Sequence, residues 1–149
     1  MRPIFVINGP NLDRLGTREP EIYGTTTLAE IEQMCGKAAG GRPVRFHQSN
    51  AEHEIIGWIH EAIDAGAGII INPAGFSFTS VAILDALRMF PGPVIELHIS
   101  NIHRREPPHQ NSLMSRAATT VIVGLGAKGY PAAMAAMLKL LEPKPEPAQ

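Results

Sequence analysis

Cysteine is nearly missing from this chain, with one residue, Cys35, among 149. No disulfide can close within it, so a disulfide-stapled scaffold is excluded. Cys35 falls on the apolar face of a predicted helix, where a buried small side chain is the expectation rather than a nucleophile. Aromatic residues are sparse too: one Trp and two Tyr are too few for the stacking loops of a flavin binder. There is no basic excess, because 13 Lys and Arg stand against 14 Asp and Glu. Nothing is left to hold a nucleic acid backbone. No run of about 18 apolar residues occurs, and the start, MRPIFVIN, has no long apolar stretch behind a basic one. Membrane contact and export are therefore unsupported, and a cytoplasmic location is expected. No Walker motif is present, and His98, His103 and His109 lack the spacing of a metal cluster, so no metal is expected.

What the chain does have is length for one real core and a strong alternation of patterns. Ile4 to Ile7 is a short apolar run that stops at Asn8-Gly9-Pro10. A polar loop to Gly24 follows, too long for an ordinary connection and of the kind that forms lids or binding loops. It holds Asn11, Arg14, Arg18 and Tyr23, all able to reach a small anionic ligand. Thr27 to Glu30 has capping-box spacing, and Leu28, Ile31, Met34, Cys35 and Ala38 then recur at helical intervals. Pro43 to Gln48 reads as a less buried strand, and Glu52 to Ala65 as a helix with Ile55, Ile59, Ala62 and Ile63 on one face. Trp58 and His60 read as packing and surface residues.

Ile69 to Ile71 has the pattern of a strand buried on both faces. A polar loop, Phe76 to Ser80, leads into a third helix through Val81, Leu84, Ala86 and Leu87. Val94 to His98 is the fourth strand, and Asn101 to Ser115 reads as a loop with at most a short helix. Thr119 to Val123 is the fifth strand, Pro131 to Leu141 the last helix, and Glu142 to Gln149 a frayed, flexible Pro-rich tail. Residues 1–141 are thus expected to form a single domain. Strands alternating with helices imply parallel crossovers. The fold class is α/β, a flavodoxin-like three-layer sandwich with a five-stranded parallel sheet in the order 2-1-3-4-5.

Ligands in such sheets bind beyond the carboxyl ends of the strands, at the switch point between strands one and three. The polar residues there are Asn8, Asn11, Asn72, Glu96 and His98. Glu96 and His98, two apart on a strand, leave the same face, so the carboxylate can orient the imidazole as in an acid or base pair. The match of Gly124, Gly126 and Gly129 to a dinucleotide fingerprint is weak, because no later strand can supply the ribose-binding acid. Tight turning onto the last helix is the better reading. A receiver domain would need an acid cluster and a phosphoacceptor aspartate where Asn8 and Asn72 stand.

Six motifs in matching order resemble one family: INGPNL from Ile7, LGTREPEIYG from Leu15, QSN with WIHEA, IINPAG from Ile70, IELHISNIHRRE from Ile95, and VIVGLGAKGY from Val121. The chain is similar, from residue 3 to about 141, to the type II 3-dehydroquinate dehydratases of the shikimate and quinate pathways. The resemblance implies a hydro-lyase that removes water from 3-dehydroquinate by trans elimination through an enolate, without metal, Schiff base or dissociable cofactor. Tyr23 would be the base, held ready by Arg18. His98 would protonate the departing hydroxyl, with Glu96 orienting it. Asn72 would hold the water that stabilises the enolate, and Asn11 would shape the pocket. The Ile99 and Ser100 backbone and Arg105 would bind or order the small anionic substrate. The family's assembly, a homo-dodecamer of four trimers, would bring Asp85 to a neighbouring site.

A free tyrosine has a pKa of about 10, so a base useful at neutral pH must lose about 3 units, or roughly 4 kcal/mol. An arginine at about 4 Å supplies roughly 1 kcal/mol in water but about 4 at an effective dielectric of ~20. Water must be excluded by the lid for one arginine to suffice. The chain departs from the family where Phe78 and His109 stand in place of a histidine and an arginine that contact substrate. Leu84 replaces another arginine, expected at an oligomer contact. The alternatives are a paralogue dehydrating a related cyclic hydroxy-ketone acid and an inactive flavodoxin-like binding protein.

Overall fold

The computed structural model describes residues 1–17, 19–145 and 147–148. Among them, β1 (Ile4–Asn8), β2 (Val44–Gln48), β3 (Gly68–Asn72), β4 (Val94–His98) and β5 (Thr120–Val123) form one parallel sheet in the order 2-1-3-4-5. The expected α/β flavodoxin-like topology is what the chain adopts. Every residue of β1, β3 and β4 is buried, while β2 and β5 at the edges are partly exposed. Continuous apolar runs occupy the middle because both of their faces are covered.

Alternation divides the core in two. Ile4, Val6, Ile70, Ile95 and Leu97 pack under α2 (Leu28–Ala38) and α5 (Gly129–Leu140), against Ile31, Cys35, Ala133, Met134 and Met137. Phe5, Ile7, Ile69, Ile71 and Val94 pack on the other face under α3 (Glu52–Ala65) and α4 (Val81–Met89), against Ile55, Ile59, Ile83 and Leu87. Each such side chain contributes about 1.5–3 kcal/mol relative to exposure. Cys35 is fully buried, and burial, with Glu32 nearby, pushes its thiol up to about 12. Trp58 packs as expected, stacking on His47 with ring centres 4.5 Å apart.

The helix starts follow the sequence signals. Thr27 Oγ1 caps α2 by accepting from Glu30 N at 3.2 Å, and its hydroxyl donates to Glu30 Oε1 at 3.0 Å; the two residues of the expected capping box thus meet through their side chains. Ser80 caps α4, accepting from Ile83 N at 3.0 Å. Helix α5 starts at Gly129, before Pro131; a proline in the first turn loses no hydrogen bond, since those N–H groups have no partner inside the helix.

Four expectations differ from the structure. The loop from Asn8 to Gly24 holds a 3-10 turn, Leu12–Arg14, and a short helix, α1 (Pro20–Tyr23), with Pro20 at its first position. The loop before α4 contains a 3-10 turn, Ala74–Phe78, and the segment after β4 contains two, Ile102–Arg104 and Leu113–Arg116. Leu84, expected at an oligomer contact, is 3% exposed and belongs to the core. Among the described residues, no helix is long and apolar enough to cross a membrane.

Candidate active site

Parallel strands bring their carboxyl ends to one edge, and the chain's polar residues gather there. Asn8 and Asn72 are register partners at the ends of β1 and β3. Between them the backbones nearly touch: Gly9 N donates to Asn72 O at 2.8 Å, and a Cβ on Gly9 would stand 2.4 Å from Pro73 O. Only glycine fits this close approach. The chain then turns through Asn11 in the left-handed region, φ 70°, with its N–H donating to Asn50 Oδ1 at 2.9 Å. Asparagine tolerates that conformation better than most residues.

Helix α1 presents Tyr23 as its last residue, before Gly24 at φ 78°. Tyr23 packs partly against the α2/α5 side of the core. Arg105 Nη1 donates to its hydroxyl oxygen at 3.3 Å. A cation thus sits at the oxygen expected to act as base, and it comes from the segment after β4. Arg18 lies outside the described residues.

On β4, Glu96 is fully buried and His98 is 4% exposed, both on the α3/α4 face as the spacing requires. His98 Nε2 lies 2.5 Å from Glu96 Oε2, and Ser115 Oγ donates to Glu96 Oε1 at 2.6 Å. Burial pushes the Glu96 carboxyl up, but hydrogen bonds from His98, Ser112 and Ser115 and the charge of His98 outweigh it and hold the group below the usual carboxylate range. Glu96 is therefore placed to orient the imidazole as a carboxylate, and the contact at Nε2 leaves Nδ1 of His98 for another partner. The glycine turn fixes the end of this strand: Gly124 N donates to His98 O at 3.3 Å and Gly126 N to Ile99 O at 3.0 Å. Gly124 has φ 85° and Gly126 φ 65°, so the glycines serve a turn, as expected, and that turn braces the site.

Asn72 belongs to a buried network that includes Tyr130. Asn72 Nδ2 donates to Tyr130 Oη at 3.0 Å, Tyr130 Oη donates to Asn8 Oδ1 at 2.7 Å, and Asn8 Nδ2 donates to His47 O at 3.0 Å. Asn72 Oδ1 accepts from Ala74 N at 3.2 Å, and Ala74 has φ 51°, a strained conformation for alanine. Neither Tyr130 nor the two serines stood out in the sequence. A tyrosine opening a helix after a glycine turn, and serines in a proline-rich segment, carry ordinary structural readings.

These groups surround one cleft, partly open to solvent. Asn11 and Tyr23 line it from the lid, Asn72 and Phe78 from β3 and its turn, and His98, Ile99 and Ser100 from β4. Arg105 and His109 come from the segment that follows. Glu96 stands behind His98. Asp85 is exposed on α4 and does not line the cleft. Phe78 and His109 face each other edge-on across 5.4 Å, making one wall aromatic. A phenol and a carboxylate-backed imidazole on one cleft can remove one proton and deliver another. Among the described residues, no group of three or more His, Cys, Asp or Glu is placed to hold a metal ion.

Comparison with known proteins points the same way. The family model described as dehydroquinase class II matches residues 2–138. A 3-dehydroquinate dehydratase of Streptomyces coelicolor is 56% identical over 131 residues, covering 86% of this chain and 83% of that protein. The 3-dehydroquinate dehydratase 2 of Agrobacterium fabrum is 53% identical over 137 residues, covering 91% and 93%. The crystal structure of a type II dehydroquinase from Propionibacterium acnes superposes with a TM-score of 0.89 at 42% identity, covering 93% of this chain and 97% of that one.

Proposed function

Since the chain belongs to the class II dehydroquinase family, we propose that it is a hydro-lyase that removes water from 3-dehydroquinate to give 3-dehydroshikimate. The observation that carries the reading is the pairing of Tyr23 with the His98–Glu96 pair on one cleft, from segments far apart in the chain. Tyr23 takes a proton from the carbon beside the ketone, and the electron pair becomes an enolate. The enolate collapses, the carbon–oxygen bond at the next carbon breaks, and His98 gives the departing hydroxyl a proton, so that water leaves. Solvent returns one proton to His98 and takes one from Tyr23. The departing groups lie on opposite faces, making the elimination trans.

The other roles follow from chemistry. Arg18 would hold the base ready, and Arg105 donates to its hydroxyl oxygen at 3.3 Å. Asn72 keeps one amide hydrogen beyond its bond to Tyr130, which can hold a water against the enolate oxygen. Ile99, Ser100 and Arg105 hold the substrate's anionic end, Asn11 shapes the pocket, and Phe78 and His109 cover its remaining wall.

Assembly belongs to the same proposal. Val81, Asp85 and Met89 make an exposed stripe at spacing four along α4, with Val81 58% and Met89 59% exposed. Two bare hydrophobes flanking a carboxylate suit a subunit contact through which Asp85 reaches a neighbouring cleft, in trimers that build a dodecamer. The enzyme works in the cytoplasm. An ultraviolet assay for the conjugated enone tests the activity, and stereospecific deuterium beside the ketone tests the geometry. Loss of the label trans to the hydroxyl supports the reading; no enone, or loss of the cis label, contradicts it.

A further inference from the structure

We propose that Ser115 is a positioning residue for the elimination, holding the Glu96 carboxylate in the charge and orientation that His98 needs. The proposal rests on the reading of His98 as the acid and follows the contacts one step further out. Glu96 is fully buried in the strand at the back of the cleft. A carboxylate there must find donors for both oxygens or take up a proton. His98 Nε2 meets Oε2 at 2.5 Å, and Ser115 Oγ meets Oε1 at 2.6 Å. A relay of hydroxyl, carboxylate and imidazole therefore runs from outside the sheet to the cleft.

Two of the donors to Glu96, Ser115 and Ser112, come from the last turn of the segment that also carries Arg105 and His109. Both are neutral, and among the described residues His98 is the charged group that acts on Glu96. Burial opposes the charge on Glu96, so losing a donor moves its titration up towards the working range. A protonated Glu96 offers a hydrogen to Nε2 instead of accepting one. His98 then keeps its one proton on Nδ1 as a neutral imidazole, a far weaker acid towards the departing hydroxyl than an imidazolium. Ser112 also accepts from Met114 N at 3.2 Å, so its truncation would disturb the turn as well. Ser115 is exposed on its other side, so its truncation leaves the core intact and a threonine methyl has room.

Wild type, Ser115→Ala and Ser115→Thr are compared by kcat/KM for 3-dehydroquinate against pH, and by the carboxyl titration of Glu96 in protein carrying 13C-labelled glutamate. In Ser115→Ala the acid limb should move up by about one pH unit, a roughly tenfold loss on the acid side that fades towards about pH 8. KM should barely change, the Glu96 titration should move up in parallel, and Ser115→Thr should restore both. A Ser115→Ala profile that overlays wild type, or a loss equal at every pH, would overturn the proposal. A wild type without turnover would instead sink the reading of the site, and the carboxyl titration would still decide whether Ser115 holds Glu96.

Discussion

Tyr130→Phe removes one oxygen from the buried network and leaves the shape of the core unchanged. It breaks the bond accepted from Asn72 Nδ2 at 3.0 Å and the bond given to Asn8 Oδ1 at 2.7 Å. Each amide keeps one partner, Asn8 through His47 O and Asn72 through Ala74 N. A buried donor and a buried acceptor left without partners cost about 1–3 kcal/mol each; the phenol no longer needs desolvating, so the expected net loss is about 2–4 kcal/mol. Urea unfolding at fixed protein concentration reads this as a midpoint lowered by about 1–2 M for a slope of about 2 kcal/mol/M. Burial pushes the Tyr130 phenol above its ordinary range. The folded state thus holds that proton more tightly, a contribution present below the unfolded pKa of about 10 and lost as pH rises beyond it. The gap between the two proteins should be flat from about pH 6 to 9 and shrink above about 10. Because Asn72 lines the cleft, kcat should fall about tenfold with KM little changed. A stability change below about 0.5 kcal/mol with wild-type kcat would refute the claim that this phenol locks the two amides.

Cys35, with its thiol pushed up to about 12, should resist an aromatic disulfide reagent at neutral pH until the chain is unfolded in urea; rapid labelling of native protein would contradict its burial. Gly9→Ala must part the ends of β1 and β3, because its Cβ would meet Pro73 O at 2.4 Å; the expected cost is at least about 2 kcal/mol, with a clear loss of turnover, and unchanged melting would refute the close approach. Phe78→His and His109→Arg each add donors to the aromatic wall. They should lower KM for 3-dehydroquinate about threefold to tenfold with kcat held, whereas an unchanged KM would show that this wall does not face the substrate.

The sheet order was legible because the strands differ in kind: the all-apolar runs of β1 and β3 mark the centre, and the mixed pattern of β2 marks an edge. The polar residues at strand ends were legible for the same reason, since an asparagine or histidine closing an apolar strand has few structural excuses. Helix α1 was not legible, because four residues are too few to show a period and only Pro20 hinted at it. Arg105 was legible as a residue but not as a partner of Tyr23, and Ser115 was not legible at all. Ser115 reaches Glu96 across 19 positions and Arg105 reaches Tyr23 across 82, contacts set by the path of an irregular segment. Leu84 is buried because it lies on the apolar face of α4 beside Leu87, and the residue type usual at that position in the family does not reveal that face.

Tyr23 is the group proposed to take the proton. The direct test is kcat for 3-dehydroquinate, read as enone absorbance, for Tyr23→Phe beside wild type, with assembly checked by size-exclusion chromatography. Loss of the base should lower kcat by at least about 100-fold in a protein that assembles normally. A Tyr23→Phe enzyme retaining more than about a tenth of wild-type kcat would contradict the account and move the proton to another residue of the cleft.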